Sequence, residues 1–213
     1  METLFVEMEH CIGCRQCEFA CAVEHSKSRD PMRAVFEDPL PKPRLFVEPG
    51  PWLGSSLPNH CHHCEPASCE SVCPTGAIQR HARHGVVLAD AGRCIACAMC
   101  AMVCPFDVIS FHPYANGGPA RTVAIKCDGC VDRRDRDEGP ACVEACKTGA
   151  LRFGEVNQLV ARDRRERSRE ALVEGREPSQ ERQTPDTVAS WRGWGQAATH
   201  VAEGVLHGNA PTR

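Results

Sequence analysis

A run of four cysteines, Cys94-Ile-Ala-Cys97-Ala-Met-Cys100-Ala-Met-Val-Cys104, closed directly by Pro105, constrains this chain more than any other feature. The C-x2-C-x2-C-x3-C spacing crowds four thiols into a stretch too short to hold them apart. Three further quartets occur: Cys11, Cys14, Cys17, Cys21; Cys61, Cys64, Cys69, Cys73; and Cys127, Cys130, Cys142, Cys146. Together they use all 16 cysteines of the chain, so any account of the fold must satisfy all four at once.

Thiolate sulfur is a soft ligand that suits iron–sulfur clusters, zinc and copper(I), and composition alone does not choose among them. Spacing does. Zinc sites are usually built from two C-x2-C pairs separated by a loop, each site complete in itself. The x2, x2, x3 pattern with a following proline is instead the bacterial ferredoxin run, in which three thiolates hold one Fe4S4 cube and the fourth reaches a second. Such a run requires a partner run that returns the favour. Iron–sulfur clusters are therefore expected, ahead of structural zinc and of disulfides.

Apolar residues make up 42% of the 213, but the cysteines are counted there and aromatic residues reach only 5%, too few to build a large core by burial alone. Metal ligation would supply the missing organisation. The first residues, Met-Glu-Thr-Leu-Phe-Val-Glu-Met-Glu-His, carry neither a basic leader nor an apolar run of signal length. With reduced thiols this predicts a cytoplasmic setting, any membrane association being through a partner at the inner face. No run of about 18 apolar residues predicts a membrane span. A formal net charge of -3 gives no electrostatic reason to expect nucleic acid.

Along the chain, a strand is expected at residues 3–6, a helical turn from Cys21, a proline-rich connection over 26–58 with a strand at 44–48, and strands at 85–90, 108–112 and 122–126. Gly117-Gly118-Pro119 reads as a turn. The segment Cys73-Pro-Thr-Gly-Ala-Ile78 recurs as Cys146-Lys-Thr-Gly-Ala-Leu151, and more loosely as Cys104-Pro-Phe-Asp-Val-Ile109. Each copy reads as last cysteine, turn, short strand. The charged stretch Arg133-Arg-Asp-Arg-Asp-Glu138 is expected in solvent or against a charged partner. Beyond Gly154 there is no cysteine. Residues 156–174 predict a charged helix, and Val188, Trp191, Trp194, Ala198, Val201 and Val205 fall on one helical face that packs on the body or docks a partner.

These four quartets in order, with the x11 interval in the last, resemble the four-cluster ferredoxin-like electron-transfer subunits that accompany molybdenum and tungsten oxidoreductases, hydrogenases and carbon monoxide dehydrogenase. The resemblance covers residues 1–154. Cys-Ile-Gly-Cys-Arg-Gln-Cys-Glu-Phe-Ala-Cys-Ala-Val-Glu-His-Ser looks most like the iron–sulfur protein of carbon monoxide dehydrogenase, which passes electrons to a hydrogenase. The polyferredoxin subunit of tungsten aldehyde oxidoreductase is a rival.

The family's ligation implies four [4Fe-4S] clusters: one on Cys11, Cys14, Cys17 and Cys146; its neighbour on Cys127, Cys130, Cys142 and Cys21. A third falls on Cys61, Cys64, Cys69 and Cys104, and a fourth on Cys94, Cys97, Cys100 and Cys73. The implied fold is α+β, two interleaved bacterial-type ferredoxin-like modules. The outer would comprise 1–58 and 113–154, the inner 59–112, with a partly helical extension at 155–213. Lys147 stands where the family has proline after Cys146, and the extension matches no family motif.

No glycine-rich nucleotide loop and no nucleophile with its base can be found, and every cysteine is committed. The expected role is therefore non-catalytic: one-electron relay between a catalytic oxidoreductase subunit and an acceptor such as hydrogenase, in a hetero-oligomer. A zinc-stabilised interaction scaffold is the reading from another class. His60, His62 and His63 flank Cys61 and Cys64 and are expected at the surface or behind the ligands. Lys126 is expected either to raise a cluster's potential or to be a solvated strand end.

Overall fold

The computed structural model describes residues 2–52, 54–114 and 121–174. The Gly117–Pro119 turn and the tryptophan-bearing stripe lie outside the described residues. Among the described residues eight short strands form four separate antiparallel ribbons rather than one sheet. β1 (Glu2–Val6) pairs with β8 (Leu151–Glu155), so the two ends of the cysteine-bearing stretch close on each other. β2 (Phe46–Pro49) pairs with β3 (Ser56–Asn59), β4 (Ile78–Arg80) with β5 (Val87–Ala89), and β6 (Ser110–Tyr114) with β7 (Arg121–Ile125).

The expected strands are present with shifted ends, and β3 is an addition. Pro58 hides it from a sequence reading, because a proline cannot donate to a ladder and demotes a strand pattern. An edge position in a two-stranded ribbon tolerates it.

A two-stranded ribbon is marginal alone and needs a surface to pack on. Here there are two small cores, and cysteines are part of both. Cys17, Cys21, Leu45, Val47, Cys142 and Leu151 form one, with Leu4, Val6, Cys11 and Cys146 against it. Ala67, Ile78, Val87, Cys100, Ile109 and Ala124 form the other, with Cys69, Cys73, Cys94 and Cys104. The first and fourth quartets thus share one core, and the second and third the other. Among the described residues the largest fully buried side chains are Val87, Val108, Val123 and Pro58, with no aromatic ring among them. The β6–β7 hairpin runs across the expected module boundary at 112/113, since Ala124 of β7 packs in the second core.

The helices before α7 (Val156–Glu174) are short, the longest running nine residues. α1 (Gln16–Glu24) starts earlier than the turn expected from Cys21. α2 (Pro31–Ala34) is capped by Asp30, whose carboxylate accepts the Arg33 N–H at 2.9 Å, with proline in the first turn. α3 (Ser68–Ser71), α4 (Met99–Met102) and α6 (Ala141–Ala145) each carry a cysteine. α7 (Val156–Glu174) matches the charged helix expected there. The chain divides into units Met1–Arg162 and Asp163–Arg213, a break that falls inside α7. No helix of the described residues is long and apolar enough to cross a membrane.

The charged stretch 133–138 meets its expectation in part: Asp135, Arg136 and Asp137 are exposed, while Arg133 and Arg134 are drawn in against carboxylates of the chain. Its first two residues end α5 (Val131–Arg134). Arg133 donates to the Gly139 carbonyl at 2.7 Å and reaches Glu24 at 3.1 Å and Glu144 at 2.6 Å. Arg134 has a side chain only 6% exposed, pairs with Glu2 at 2.7 Å and lies over the Phe153 ring at 5.0 Å. A guanidinium can bury its flat faces on a ring while its N–H groups meet a carboxylate, so arginine spacing alone is a poor guide to exposure.

Candidate iron–sulfur sites

The four quartets share one backbone turn. The residue two after the first cysteine takes positive φ in every case: Gly13 at 69°, His63 at 50°, Ala96 at 56° and Gly129 at 65°. Only two of these are glycine, the residue for which that conformation is free. At Ala96 and His63 the left-handed backbone costs about 1 kcal/mol or more and must be held by its surroundings. The turn directs backbone N–H groups at sulfur. Ala96 donates to Cys94 Sγ at 3.4 Å and Gly129 to Cys127 Sγ at 3.4 Å.

The repeated tails form a second device. Three residues past the last cysteine the backbone is again left-handed, at Gly76 (62°), Gly149 (72°) and Asp107 (52°), the third standing where the looser copy lacks glycine. The Leu151 N–H donates to Cys146 Sγ at 3.4 Å, and the Thr148 hydroxyl lies 3.6 Å from it. Thr75 stands 3.7 Å from Cys73 Sγ in the matching place. Burial would raise these two thiols, but the backbone donors of Leu151 and Ile78 together with the threonines hold both below the ordinary range. The recurring Thr-Gly-Ala is therefore a thiolate-stabilising turn, and Lys147 in place of proline leaves it intact.

All 16 thiols are free of disulfides, and they gather by place rather than by sequence. Cys61, Cys64, Cys69 and Cys104 line one cavity, Cys73, Cys94, Cys97 and Cys100 a second. Cys21, Cys127, Cys130 and Cys142 border a third, of about 600 Å³, which Cys61 and Cys64 also reach. Cys11, Cys17 and Cys146 pack together in the first core. Each set draws on two quartets: in the three cavities the last cysteine of one joins three of the other, and in the first core Cys146 joins Cys11 and Cys17. Burial pushes Cys17 and Cys130 up to about 11 and Cys127 up to about 12, and raises Cys142 well above its ordinary range; neighbouring thiols add to the rise at Cys17 and Cys142, and Asp128 adds to it at Cys127 and Cys130. Four desolvated thiols pointing at one another disfavour ionisation unless a cation lies among them. That donor set, soft, anionic and supplied with N–H groups aimed at sulfur, fits a [4Fe-4S] group.

The surroundings of the thiols hold residues that spacing did not single out. Ser56 of β3 donates its hydroxyl to Cys11 Sγ at 3.0 Å and to the Cys11 carbonyl at 3.2 Å. The Arg44 N–H donates to Cys21 Sγ at 3.3 Å, and its guanidinium pairs with Asp128 at 2.5 Å. Asp128 also meets His25 at 3.1 Å and accepts the Cys130 N–H at 2.9 Å. Burial would raise its carboxyl, yet His25 and Arg44 hold it well below the usual range. Only Asp128, lying between two cysteines, carries any sequence signal.

His60 is buried and His63 partly so, while His62 stacks between His60 and Phe106 at the surface. Burial first, then the neighbouring cations, pushes His60 down to about 4 and His63 to about 3, so both are neutral near pH 7. The Val87 N–H donates to His63 Nδ1 at 3.0 Å, which places the proton on Nε2. Lys126 is no solvated strand end: it is 3% exposed.

The comparisons with known proteins agree with this chemistry. Two family models described as 4Fe-4S dicluster domains match residues 10–78 and 54–156. An iron–sulfur protein of Rhodospirillum rubrum is 37% identical over 174 residues, covering 78% of this chain and 89% of its own. The electron transport protein HydN of Escherichia coli is 37% identical over 179 residues, 80% of this chain and 97% of its own. The thiosulfate reductase electron transfer subunit PhsB of Salmonella typhi is 35% identical over 158 residues, 70% of this chain and 73% of its own. Two of these relatives are named for electron transport or electron transfer. With its thiols gathered in these sets and its dicluster matches, the chain belongs to the 4Fe-4S dicluster family of iron–sulfur electron-transfer proteins.

Proposed function

We propose that this chain relays single electrons through four [4Fe-4S] clusters between a catalytic oxidoreductase subunit and a second redox protein, in a hetero-oligomeric complex. The observation that carries the reading is the exchange of last cysteines between quartets: Cys104 joins Cys61, Cys64 and Cys69, while Cys73 joins Cys94, Cys97 and Cys100. The corresponding outer sets are Cys11, Cys14, Cys17 with Cys146, and Cys127, Cys130, Cys142 with Cys21. Residues 1–58 together with the segment from Cys127 to Gly154 form the outer module. The inner module lies between them and includes the β6–β7 hairpin.

Bound clusters supply reversible one-electron exchange. The chain's own groups hold sulfur and exclude water, and they place the two ends of the relay at the surface. Of the 16 cysteines only Cys14 and Cys97 are exposed, and they fall in different sets. Exposed apolar residues stand close to each in the sequence: Met8 and Ile12 before Cys14, Ile95 and Met102 on either side of Cys97. Exposed apolar residues beside an accessible cysteine suit a partner that must dock closely and leave again.

For the partners we favour a carbon monoxide dehydrogenase-like donor and a hydrogenase acceptor, on the look of the Cys11–Ser26 segment. A molybdenum or tungsten oxidoreductase is the second reading, and the likeness to an electron transfer subunit of a thiosulfate reductase favours a reductase partner of that kind. Anaerobically purified protein is expected to carry about 16 irons and 16 acid-labile sulfides per chain. Zinc without sulfide refutes the relay. Affinity purification from anaerobic cells, with identification of the catalytic subunit that accompanies this one, decides between the two partners.

A further inference from the structure

Lys126 presents an unusual arrangement for a cation. It stands at the end of β7, directly before Cys127, and is 3% exposed. Its ammonium donates to the Cys127 carbonyl at 2.8 Å and to the Val87 carbonyl of β5, on the opposite side of the module boundary. It shares a cavity wall with Cys61, Cys64, Cys69 and Cys104. Among the described residues no carboxylate forms an ion pair with it, although Asp128, two positions on, is engaged by Arg44 and His25.

A buried charge costs several kcal/mol unless something of opposite sign offsets it. Two backbone carbonyls supply hydrogen bonds but no net charge. With clusters bound, the negative charge beside Lys126 is that of ligand thiolates from both modules: Cys127, next in the chain, and Cys69 of the cavity that Lys126 lines. Its ammonium is bonded to the backbone of the one set, at the Cys127 carbonyl, and its side chain lines the cavity of the other. The backbone is arranged to bring the two sets this close. A Cβ added at Gly129 would meet Val86 Cγ1 at 2.9 Å and His63 Nε2 at 3.6 Å, so only glycine lets the fourth quartet sit against the second.

We infer that Lys126 is the shared counter-ion of the two central cluster sites, Cys21/Cys127/Cys130/Cys142 and Cys61/Cys64/Cys69/Cys104, and that it raises the reduction potential of both. This rests on the four-cluster reading above. A fixed positive charge stabilises the more negative, reduced state of each neighbouring site. Serving both, it lifts them together and keeps the crossing between modules near level. His63, which runs from the second quartet to Gly129 of the fourth, marks the same crossing.

The test uses the full chain with its clusters, comparing Lys126→Met, Lys126→Gln and Lys126→Arg with the parent. Iron and sulfide are counted on each sample first, so a failure of the four-cluster reading is seen in the parent before any variant is compared. EPR-monitored redox titration then reads the midpoint potentials, with Cys14→Ser and Cys97→Ser marking the signals of the two terminal sites. The expected result is that Met and Gln lower two potentials, neither of them terminal, while Arg restores both. Loss of the two central clusters alone in Met and Gln, with Arg retaining all four, is the same outcome in extreme form. The inference is overturned if no potential moves, if only one moves, or if all four move together. Loss of iron from the terminal sites, or from the Arg variant, makes Lys126 a packing residue and overturns it equally.

Discussion

Ser56 offers the sharpest quantitative test of the sulfur environment. Its hydroxyl is the side-chain donor to Cys11 Sγ, at 3.0 Å, and it is shared with the Cys11 carbonyl at 3.2 Å. Ser56→Ala removes one oxygen from β3 and leaves the ribbon's backbone pairing in place. A hydrogen bond to a charged group contributes about 1.5–3 kcal/mol. Division between two acceptors leaves about half of that on sulfur, and only the part that differs between oxidised and reduced sulfur reaches the potential, about 0.5–1 kcal/mol. For a one-electron couple about 59 mV corresponds to a tenfold change in equilibrium constant, so the expected fall is about 20–45 mV. The sign follows because the reduced site is more negative and loses more when a donor is removed. The assay is an anaerobic redox titration in which the site of Cys11, Cys14, Cys17 and Cys146 shifts and the other three do not. A rise in potential, or an equal shift at every site, would show that the hydroxyl does not act on this sulfur.

Three further outcomes are expected. His60 is held neutral by burial, its pKa falling to about 4 against an unfolded value near 6.5. Below pH 6.5 the unfolded chain therefore binds a proton that the folded chain refuses, and stability falls as pH drops from about 6.5 toward 4, by about 2 kcal/mol at pH 5. Thermal unfolding of the parent against His60→Asn checks this, since the variant loses the slope in that window. Ile95→Glu and Met102→Glu, placed on side chains 62% and 74% exposed, are expected to slow electron exchange with one partner about tenfold while iron content and exchange at the Cys14 end are unchanged. Leu151→Ala, at a side chain 2% exposed in the first core, is expected to cost about 2–5 kcal/mol. Iron release under mild denaturant should then begin at the sites of the first and fourth quartets, read as loss of half the visible absorbance before the rest.

The absence of large buried side chains explains why these perturbations are expected to report locally. Val87, Val108 and Val123 are the bulkiest fully buried apolar side chains among the described residues, and each ribbon has only two strands. Such a fold has no broad hydrophobic interior through which a change could spread. Its long-range ties are specific: β1 on β8, Arg134 on Glu2 and Phe153, Arg133 on Glu24. These join the beginning of the body to its end, around the inner half.

The quartets, the repeated tails and most strands were legible in the sequence because each is written locally: a spacing, a Thr-Gly-Ala after a last cysteine, an apolar run after that. Ser56 was not, since nothing in Ser-Leu-Pro-Asn announces a strand whose first hydroxyl meets a sulfur 45 positions earlier. Arg133 and Arg134 misled because charge density normally implies water, and here two of the charges find carboxylates and a ring from distant parts of the chain. Lys126 is the instructive case. Its position before Cys127 is visible in the sequence, and so is its charge. Its surroundings depend on Val87, whose carbonyl it meets, and on Cys69, whose cavity it lines, 39 and 57 positions away. Local spacing tells which cysteines act together in a turn. Which turns face each other depends on contacts between residues far apart in the sequence, Lys126 on Val87 and Gly129 beside His63 among them, and no local spacing records these.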